Sequence, residues 1–240
     1  VRSISLLCRS RQNNRMKKNK LIAPFLKWVG GKRQLMPAIN ELLPKKFSTY
    51  YEPFVGGGAV LFEIQPKKAI VNDFNAELVN TYNVIKNQPE ELIEDLKTHI
   101  NESEYFYNIR ALDRQKGFDE LSNIKKASRV IYLNKTCYNG LYRVNNSGEF
   151  NSPFGKYKNP NIVNDVTIRA VSKYFNANDI TIINGDFESA VKNIRKGAFV
   201  YFDPPYDPVS KSSNFTGYVQ GGFNIFDQVR LRELCDKLVA

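Results

Sequence analysis

The sequence predicts an α/β fold built around a parallel sheet. Short apolar runs of strand length alternate with helical segments, and three glycines at 56–58 separate the first such run from a helix. A strand, a glycine turn, a helix and a second strand form a βαβ unit, in which the two strands are parallel. Asp203, Pro204, Pro205 and Tyr206 follow the last apolar run and mark the end of another strand.

The predicted elements follow one another along the chain. A helix at about 33–43 ends at Pro44, a strand covers 50–55, and a second strand covers 69–73. Apolar residues recur at steps of three and four from about 75 to 133, which predicts helices. A turn sequence predicts a hairpin at 145–148. Strands are predicted at 180–187 and 198–202, and an amphipathic helix at 229–240.

The charge of the chain is unevenly distributed. The net charge is +11, but residues 1–20 carry seven basic side chains and no acidic one, which leaves 28 basic and 24 acidic side chains in 21–240. Net charge alone therefore does not establish a nucleic-acid partner. We predict that residues 1–20 form a disordered basic tail and that Met16 is the true start of the protein.

Composition limits the kinds of site. The three cysteines, Cys8, Cys137 and Cys235, are scattered, and the chain has a single histidine, so we expect neither a disulfide framework nor a metal site. No apolar run reaches the length of a membrane span, and we expect a cytoplasmic protein with no membrane partner. Surface positions are predicted for His99, Lys125, Lys126 and Arg129; for the three basic residues, contact with phosphate is the alternative.

The residues after the last strand combine a carboxylate, carbonyl groups and an aromatic ring. Prolines lack a backbone N–H and restrict the preceding residue to extended conformations. Asp203 and Pro204 are therefore expected on a stiff rim at the carboxyl end of a strand, where open α/β sheets bind ligands. The exocyclic amine of an adenine there can donate to the Asp203 carboxylate and the Pro204 carbonyl while its ring stacks on Tyr206. The alternative is a proline-rich loop after a core strand.

The glycine turn favours a nucleotide ligand without phosphates. Its sequence, EPFVGGG at 52–58, lacks the GxGxxG spacing of pyrophosphate binding and the Lys-Ser/Thr of a P-loop. Asp73 ends the next strand, where it can accept hydrogen bonds from ribose hydroxyls. S-adenosylmethionine fits such a site because acidic side chains attract its positive sulfonium. A simple tight turn is the alternative.

Four segments in order carry a resemblance to a known family. They are KWVGGK at 27–32, EPFVGGG at 52–58, NDFN at 72–75 and DPPY at 203–206. From about residue 21 to its end the chain resembles the Dam-type (D12 class) DNA adenine-N6 methyltransferases. The resemblance implies a Rossmann-like S-adenosylmethionine-dependent methyltransferase sheet with a helical and hairpin insertion for target recognition.

The resemblance implies a site-specific, adenine-specific methyltransferase acting on double-stranded DNA with S-adenosylmethionine as methyl donor. Because the target amine cannot be reached inside a duplex, the base is expected to flip out. The expected catalytic residues are Asp203, Pro204 and Tyr206. The residues expected to bind the cofactor are Trp28, Lys32, Pro53, Phe54, Gly56, Asp73, Asp186, Phe187 and Asp203.

Two segments of the insertion, 138–143 and 148–158, mix basic, amide and aromatic side chains. Arginine suits bidentate recognition of guanine, and an aromatic side chain can fill the gap left by a flipped base. These segments resemble the elements that recognise GATC in the family. The residues expected to bind DNA are Tyr138, Asn139, Leu141, Arg143, Pro153, Lys156, Tyr157 and Lys158. Lys156 stands where the family commonly has arginine; because lysine is a point charge, we expect either weaker recognition of a base there or a contact with phosphate instead. The alternative is a solvated basic hairpin.

The predicted organisation is a catalytic domain interrupted by a recognition domain. The catalytic domain comprises 21–75 and 166–240, and its last helix lacks a stop signal, so we expect it to be truncated at the C-terminus. Residues 76–165 form the DNA target-recognition domain. We expect a monomer or weak dimer. The sequence leaves open a DNA-binding fragment without turnover, methylation of RNA or of a protein amide, and the choice between a restriction–modification, solitary or phage role.

Overall fold

A computed structural model describes residues 18–28, 32, 34–205 and 223–239. Within these residues the strands are β1 (Tyr50–Glu52), β2 (Lys68–Asp73), β3 (Asp179–Asn184) and β4 (Phe199–Val200). The helices are α1 (Met36–Leu42), α2 (Ala59–Ile64), α3 (Ala76–Asn87), α4 (Pro89–Leu96), α5 (Ser103–Ala111), α6 (Asn123–Thr136), α7 (Asp165–Ala177), α8 (Phe187–Val191) and α9 (Ile225–Val239). Most of the predicted tail, to residue 17, and Tyr206 lie outside the described residues.

The four strands form one parallel sheet in the order β3-β2-β1-β4. Tyr50 of β1 pairs with Ala69 of β2 on one side and with Phe199 of β4 on the other. β2 and β3 are added in turn on one side of β1, and the chain then crosses over so that β4 pairs with β1 on its other side. The predicted Rossmann-like α/β fold is confirmed.

The strands end earlier than the sequence predicts. β1 ends at Glu52 rather than at residue 55, because Pro53 has no N–H for the ladder. β3 ends at Asn184, which pairs with the last residue of β2, instead of continuing to 187. β4 contains two residues, although the Tyr201 N–H still donates to the Tyr51 carbonyl at 2.9 Å.

Several helices begin at residues that the periodicity did not identify. α1 begins at Met36 instead of 33, with Pro37 in its first turn, where a missing N–H costs nothing. Asn75 caps α3 by accepting from the Leu78 N–H at 2.9 Å. α9 begins at Ile225 rather than 229, after Asn224 accepts from the Phe226 N–H at 2.8 Å.

The predicted hairpin is present in the insertion. Val144 and Phe150 form an antiparallel bridge, and the Gly148 N–H donates to the Asn145 carbonyl at 2.9 Å. One continuous buried cluster runs from the sheet through α3 to α6 and the hairpin; its members include Val71, Leu78, Tyr82, Ile131 and Phe150. The boundaries of the two domains stay a prediction.

Arg129 does not lie on a solvated face, so that prediction was wrong. Its side chain is 2% exposed, and its guanidinium binds Glu77 at 3.3 Å and Asp113 at 2.6 Å. Buried charges persist where partners compensate them. The surface prediction holds for Lys125, which is exposed, while Lys126 is half-buried.

The prediction of a surface position for His99 was also wrong. The ring is half-buried and stacks on Tyr132 with the centroids 4.4 Å apart. Its nitrogens lie 2.9 Å from the Tyr105 hydroxyl and 3.0 Å from the Ser128 hydroxyl. Burial lowers the pKa of His99 to about 4. None of the helices in the described ranges is long and apolar enough to cross a membrane.

Candidate active site

The carboxyl ends of the strands meet at one edge of the sheet, beside a cavity of about 1840 Å³. The chain reverses its direction of sheet growth between β1 and β4, and open α/β sheets bind ligands at such a switch point. The cavity is lined by every residue expected to bind the cofactor and by two of the expected catalytic residues: Trp28, Lys32, Pro53, Phe54, Gly56, Asp73, Asp186, Phe187, Asp203 and Pro204. The structure thus brings together residues that are up to 176 positions apart in the sequence.

Asp73 holds the glycine turn in place at the end of β2. Its carboxylate accepts from the Gly56 N–H at 3.0 Å and from the Asn75 N–H at 2.9 Å. Burial raises the pKa of Asp73, while these N–H donors and that of Phe74 act in the opposite direction. The Asp73 carboxylate therefore already accepts hydrogen bonds from the backbone, and its remaining lone pairs could accept from ribose hydroxyls.

Trp28 covers the glycines so closely that a larger residue would collide with it. A Cβ at Gly56 would lie 2.8 Å from Trp28 Cδ1, and a Cβ at Gly57 would lie 2.9 Å from Trp28 Cβ. Gly56 also has a φ of +48°, which disfavours residues with a side chain. The glycines are needed here for the close approach of the indole ring as well as for the turn.

Lys32 and Asp203 form an ion pair on the cavity wall. The Lys32 Nζ lies 2.6 Å from the Asp203 Oδ2, and the lysine side chain is only 9% exposed. Pro204 and Pro205 follow directly and line the same cavity. A carboxylate has several lone-pair directions, so Asp203 can accept from a ligand while it binds Lys32.

An aromatic cluster forms another wall. Phe54 stacks on Phe187 with the centroids 5.3 Å apart, and Phe223 contacts both rings edge-on or tilted. Asp186 caps α8 through the Glu188 N–H at 3.0 Å, and its carboxylate pairs with Arg230 at 2.8 Å. This wall is apolar, with a carboxylate at its edge, and the Arg230 guanidinium lies 4.9 Å from the centroid of the buried Phe187 ring.

The two segments expected to bind DNA lie side by side. The Tyr138 N–H donates to the Pro153 carbonyl at 2.8 Å, and Cys137 bridges to Phe154. Arg143 is exposed, and its Nε donates to Asn151 Oδ1 at 2.7 Å. The exposed members of the predicted set are Tyr138, Asn139, Arg143, Pro153, Lys156 and Lys158, and the half-buried ones are Leu141 and Tyr157. Their binding to DNA stays a prediction.

Comparison with known proteins identifies the family. The sequence profile of the D12 class N6 adenine-specific DNA methyltransferases matches residues 28–240. The chain belongs to this family. The resemblance carried by its four motifs is thereby confirmed.

This D12 class chain is similar to several named methyltransferases. The type II methyltransferase M1.LlaDCHI of Lactococcus lactis subsp. cremoris is 50% identical over 228 residues, 94% of this chain and 80% of its own length. M.MjaIII, a type II methyltransferase of Methanocaldococcus jannaschii, is 43% identical over 90% of this chain and 80% of its own. A DNA adenine methylase of Serratia marcescens is 37% identical over 93% and 80%.

The site of this D12 methyltransferase contains a buried acid to which sequence analysis gave no role. Glu52, at the end of β1, is 2% exposed and accepts from the Tyr50 hydroxyl at 2.9 Å. Burial raises the pKa of Glu52 to about 8, and the nearby Asp203 and Asp73 add to the rise. Its signal in the sequence was an acidic residue closing an otherwise apolar strand.

Asn72 is a second site residue that the sequence did not indicate, and it connects the ends of three strands. The Asn72 amide donates to the carbonyls of Pro53 and Gly185, both at 3.0 Å, and so joins the loops after β1 and β3 to β2. The side chain is 1% exposed. A polar residue next to Asp73 was visible in the sequence, but its partners are far apart along the chain. Among the described residues, no group of three His, Cys, Asp or Glu side chains could hold a metal ion.

Proposed function

We propose that this protein transfers a methyl group from S-adenosylmethionine to the N6 amine of adenine in duplex DNA, within the sequence GATC. The observation that carries the proposal is the ion pair between Lys32 and Asp203, 2.6 Å long, in the cavity that Asp73 and Gly56 also line. In this arrangement the Asp203 carboxylate, which can accept from the adenine amine, lines the same cavity as the glycine turn, which can approach the methyl donor closely. Membership of the D12 class supports adenine as the target base.

The chemistry of the cavity fits S-adenosylmethionine. Phe54 and Phe187 offer an apolar surface for the donor's adenine, with the Asp186 carboxylate at its edge. Asp73 and Asp203 contribute negative charge, which favours a cationic sulfonium. The cofactor supplies an electrophilic methyl group when it is bound.

The cavity also supports a flipped base. Pockets for single small ligands typically measure about 300–1000 Å³, whereas this cavity measures about 1840 Å³. The excess volume accommodates an adenine beside the donor. Because the N6 amine of a paired adenine is hydrogen-bonded to thymine and held within the stacked duplex, the base has to leave the stack to reach Asp203, and Tyr206 is the residue proposed to stack on it.

Asp203 and Pro204 activate the amine by accepting hydrogen bonds. The lone pair of the amine is delocalised into the adenine ring, which makes the nitrogen a poor nucleophile. Hydrogen bonds to the Asp203 carboxylate and the Pro204 carbonyl favour a pyramidal nitrogen and stabilise the positive charge that develops on it. Bound S-adenosylmethionine would supply the methyl group: the N–C bond would form as the C–S bond breaks in line with it, S-adenosylhomocysteine would leave, and the nitrogen would lose one proton to water. The cavity contributes mainly the positioning of the two reactants.

The recognition of GATC is assigned to the exposed hairpin face. Arg143 is the side chain suited to bidentate contact with guanine. We assign contacts with base pairs around the flipped adenine to Tyr138 and Pro153, which a backbone hydrogen bond of 2.8 Å joins. Lys156 and Lys158 are exposed and contact phosphates in this proposal.

Methyl transfer is tested with S-adenosylmethionine labelled with tritium on its methyl group. We expect label on a duplex containing GATC and none on a duplex of the same composition without it. Asp203→Ala should abolish labelling while leaving the affinity for DNA within about threefold, since DNA contacts lie on the hairpin. Asp179→Asn is the matched control: this aspartate pairs with Lys68 at the opposite end of the sheet, and the variant should keep wild-type turnover.

The possible results separate the alternatives. Label on both duplexes would contradict GATC recognition but not adenine methylation. Binding of DNA without label would indicate a DNA-binding fragment, and label on RNA or on a protein amide in place of DNA would assign a different substrate. Near-normal turnover of Asp203→Ala would refute the proposed mechanism.

A further inference from the structure

Tyr142 lies between the proposed cofactor cavity and the hairpin. Its side chain is 3% exposed. One face of its ring stacks on Trp28, with the centroids 5.0 Å apart and the planes at 25°. Phe150 contacts the ring edge-on, with the centroids 5.5 Å apart. Tyr142 thus joins an indole ring of the cavity wall to the hairpin.

The hydroxyl of Tyr142 enters a network of buried charges. It donates to Glu77 Oε2 at 2.9 Å, and the other oxygen of Glu77 lies 3.3 Å from the Arg129 guanidinium. Arg129 binds Asp113 at 2.6 Å, and Asp113 accepts from the backbone N–H of Phe150 at 2.8 Å. The network begins and ends on the hairpin, so Tyr142 is fixed at its hydroxyl as well as at its ring.

Glu77 also connects this network to the cofactor side. It stands in the first turn of α3, two residues after Asn75, whose N–H donates to Asp73. The start of α3 is therefore bonded at one point to the proposed ribose acceptor and at another to Tyr142. Burial raises the pKa of Glu77, while Arg129 and the Tyr142 hydroxyl act in the opposite direction.

Trp28 completes the connection between Tyr142 and the cavity. The positions of Gly56 and Gly57 leave no room between the turn and the indole, and the Gly56 N–H donates to the Asp73 carboxylate at 3.0 Å. Closely packed groups of this kind cannot move independently. A ligand that fixes Trp28 therefore restricts Tyr142 too.

We propose that Tyr142 is a positioning residue that couples the methyl-donor site to the recognition segment, residues 138–143. A ligand in the donor site orders Trp28, which orders Tyr142 and so lowers the entropic cost of fixing its neighbours Leu141 and Arg143 on DNA. The inference rests on the proposed function, because it requires both ligands to bind. Such coupling is reciprocal: DNA must tighten donor binding by the same factor.

The coupling is measured with S-adenosylhomocysteine, which occupies the donor site without reacting. Fluorescence anisotropy gives the affinity for a GATC duplex with and without this compound, and calorimetry gives the affinity for the compound with and without the duplex. In the wild-type protein we expect each ligand to strengthen the binding of the other by a factor of about ten, which is within the usual range for coupled sites. The factor should be the same in both measurements.

Two variants at Tyr142 and one control variant test whether Tyr142 carries the coupling between the two ligands. Tyr142→Leu removes the stack and the hydroxyl and should bring the factor below about two. Tyr142→Phe keeps the ring, loses only the bond to Glu77 and should lower the factor about threefold. Tyr174→Phe removes the hydroxyl of another buried tyrosine, which donates to the Pro66 carbonyl at 2.8 Å. Neither Tyr174 nor Pro66 lines the cavity, so this variant should keep the wild-type factor.

Each possible outcome decides the inference. A wild-type factor near one would overturn it, and so would an unchanged factor in Tyr142→Phe, a variant conservative enough to fold even if Tyr142→Leu does not. In these cases both ligands still bind and the proposed function stands. A wild-type protein that binds neither ligand would overturn the proposed function itself, which the separate single-ligand titrations reveal.

Discussion

The ammonium group of Lys32 lies 2.6 Å from a carboxylate oxygen of Asp203, on the wall of a cavity that residues at the ends of β1 and β2 also line. The two residues are 171 positions apart in the sequence. Their pairing brings the segment before the sheet to the end of its last described strand. The pair thus fixes the position of the carboxylate that we propose accepts from the adenine amine.

Removing the lysine should reduce both stability and turnover. Lys32→Met leaves Asp203 partly buried without its cation, which we expect to lower the free energy of unfolding by about 2 kcal/mol, a value reduced from that of a fully buried pair because Asp203 is 25% exposed. Turnover should fall at least about 100-fold because the carboxylate loses its position. Urea denaturation and methyl incorporation measure the two effects.

The double variant Lys32→Met/Asp203→Asn separates these effects. It should recover most of the lost stability, since no unpaired carboxylate remains, but it should not recover turnover. Recovery of turnover as well would show that the ion pair has no part in the reaction.

The contact between Trp28 and the glycine turn leads to a second prediction. Gly57→Ala places a methyl group 2.9 Å from Trp28 Cβ, so the backbone or the indole must shift. We expect a loss of about 1–3 kcal/mol in the free energy of unfolding and weaker binding of S-adenosylhomocysteine. Gly185→Ala is the matched control because a Cβ there meets no atom within 4 Å; in thermal denaturation it should behave like the wild type. Equal losses in the two variants would contradict the proposed contact.

Most of the sheet and the composition of the cavity could be predicted from the sequence because they depend on local signals. Apolar runs, a glycine turn and prolines mark where strands end, and Asp73 and Asp203 stand at those ends. In a parallel sheet the ends of neighbouring strands meet, so local signals are sufficient to bring these carboxylates together. No contact between distant residues had to be known.

What could not be predicted depends on partners that are distant in the sequence. Arg129 occupies a basic stretch of an amphipathic helix and gives no sign that Glu77 and Asp113 bind it in the interior. Asn72 likewise becomes a connecting residue only through the carbonyls of Pro53 and Gly185. Periodicity reports the side on which a residue lies, but it does not report which charges pair there.

Arg143 is expected to determine the preference for guanine. Arg143→Lys replaces a planar fork by a point charge, and we expect it to reduce discrimination between GATC and a duplex with its guanine replaced by about 5- to 150-fold, which corresponds to 1–3 kcal/mol for a bidentate contact. The ratio of the two kcat/KM values measures this. Lys158→Gln is the control: it should weaken binding to both duplexes equally and reduce the dependence on salt. An unchanged ratio in Arg143→Lys would assign guanine recognition to another side chain.

His99 should make the protein less stable in mild acid. Its pKa is about 4 in the folded protein and 6.5 ordinarily, because burial disfavours the charged ring. Between these values the unfolded chain takes up a proton that the folded protein does not, so stability falls as the pH decreases from 6.5 to 4. His99→Gln should remove about 2 kcal/mol of this loss, allowing for partial solvent exposure. Urea denaturation at a series of pH values tests it; parallel curves for variant and wild type would contradict the prediction.

Glu52 should lower the stability of the protein as the pH rises, whereas His99 lowers it as the pH falls. Burial raises its pKa from 4.5 to about 8, so the unfolded chain loses its proton first as the pH rises. The stability present below pH 4.5 is therefore progressively lost as the pH rises to about 8. Glu52→Gln cannot ionise and retains an oxygen that accepts from the Tyr50 hydroxyl.

We therefore expect Glu52→Gln to become more stable than the wild type as the pH rises, with a difference on the order of a few kcal/mol at about pH 8. Glu104→Gln, at an exposed position of α5, is the control and should follow the wild-type curve. Urea denaturation from about pH 4.5 to 8.5 measures the difference. A difference that stays constant over this range would mean that Glu52 ionises in the folded protein at its ordinary pKa, and that its carboxylate adds to the negative charge facing the sulfonium.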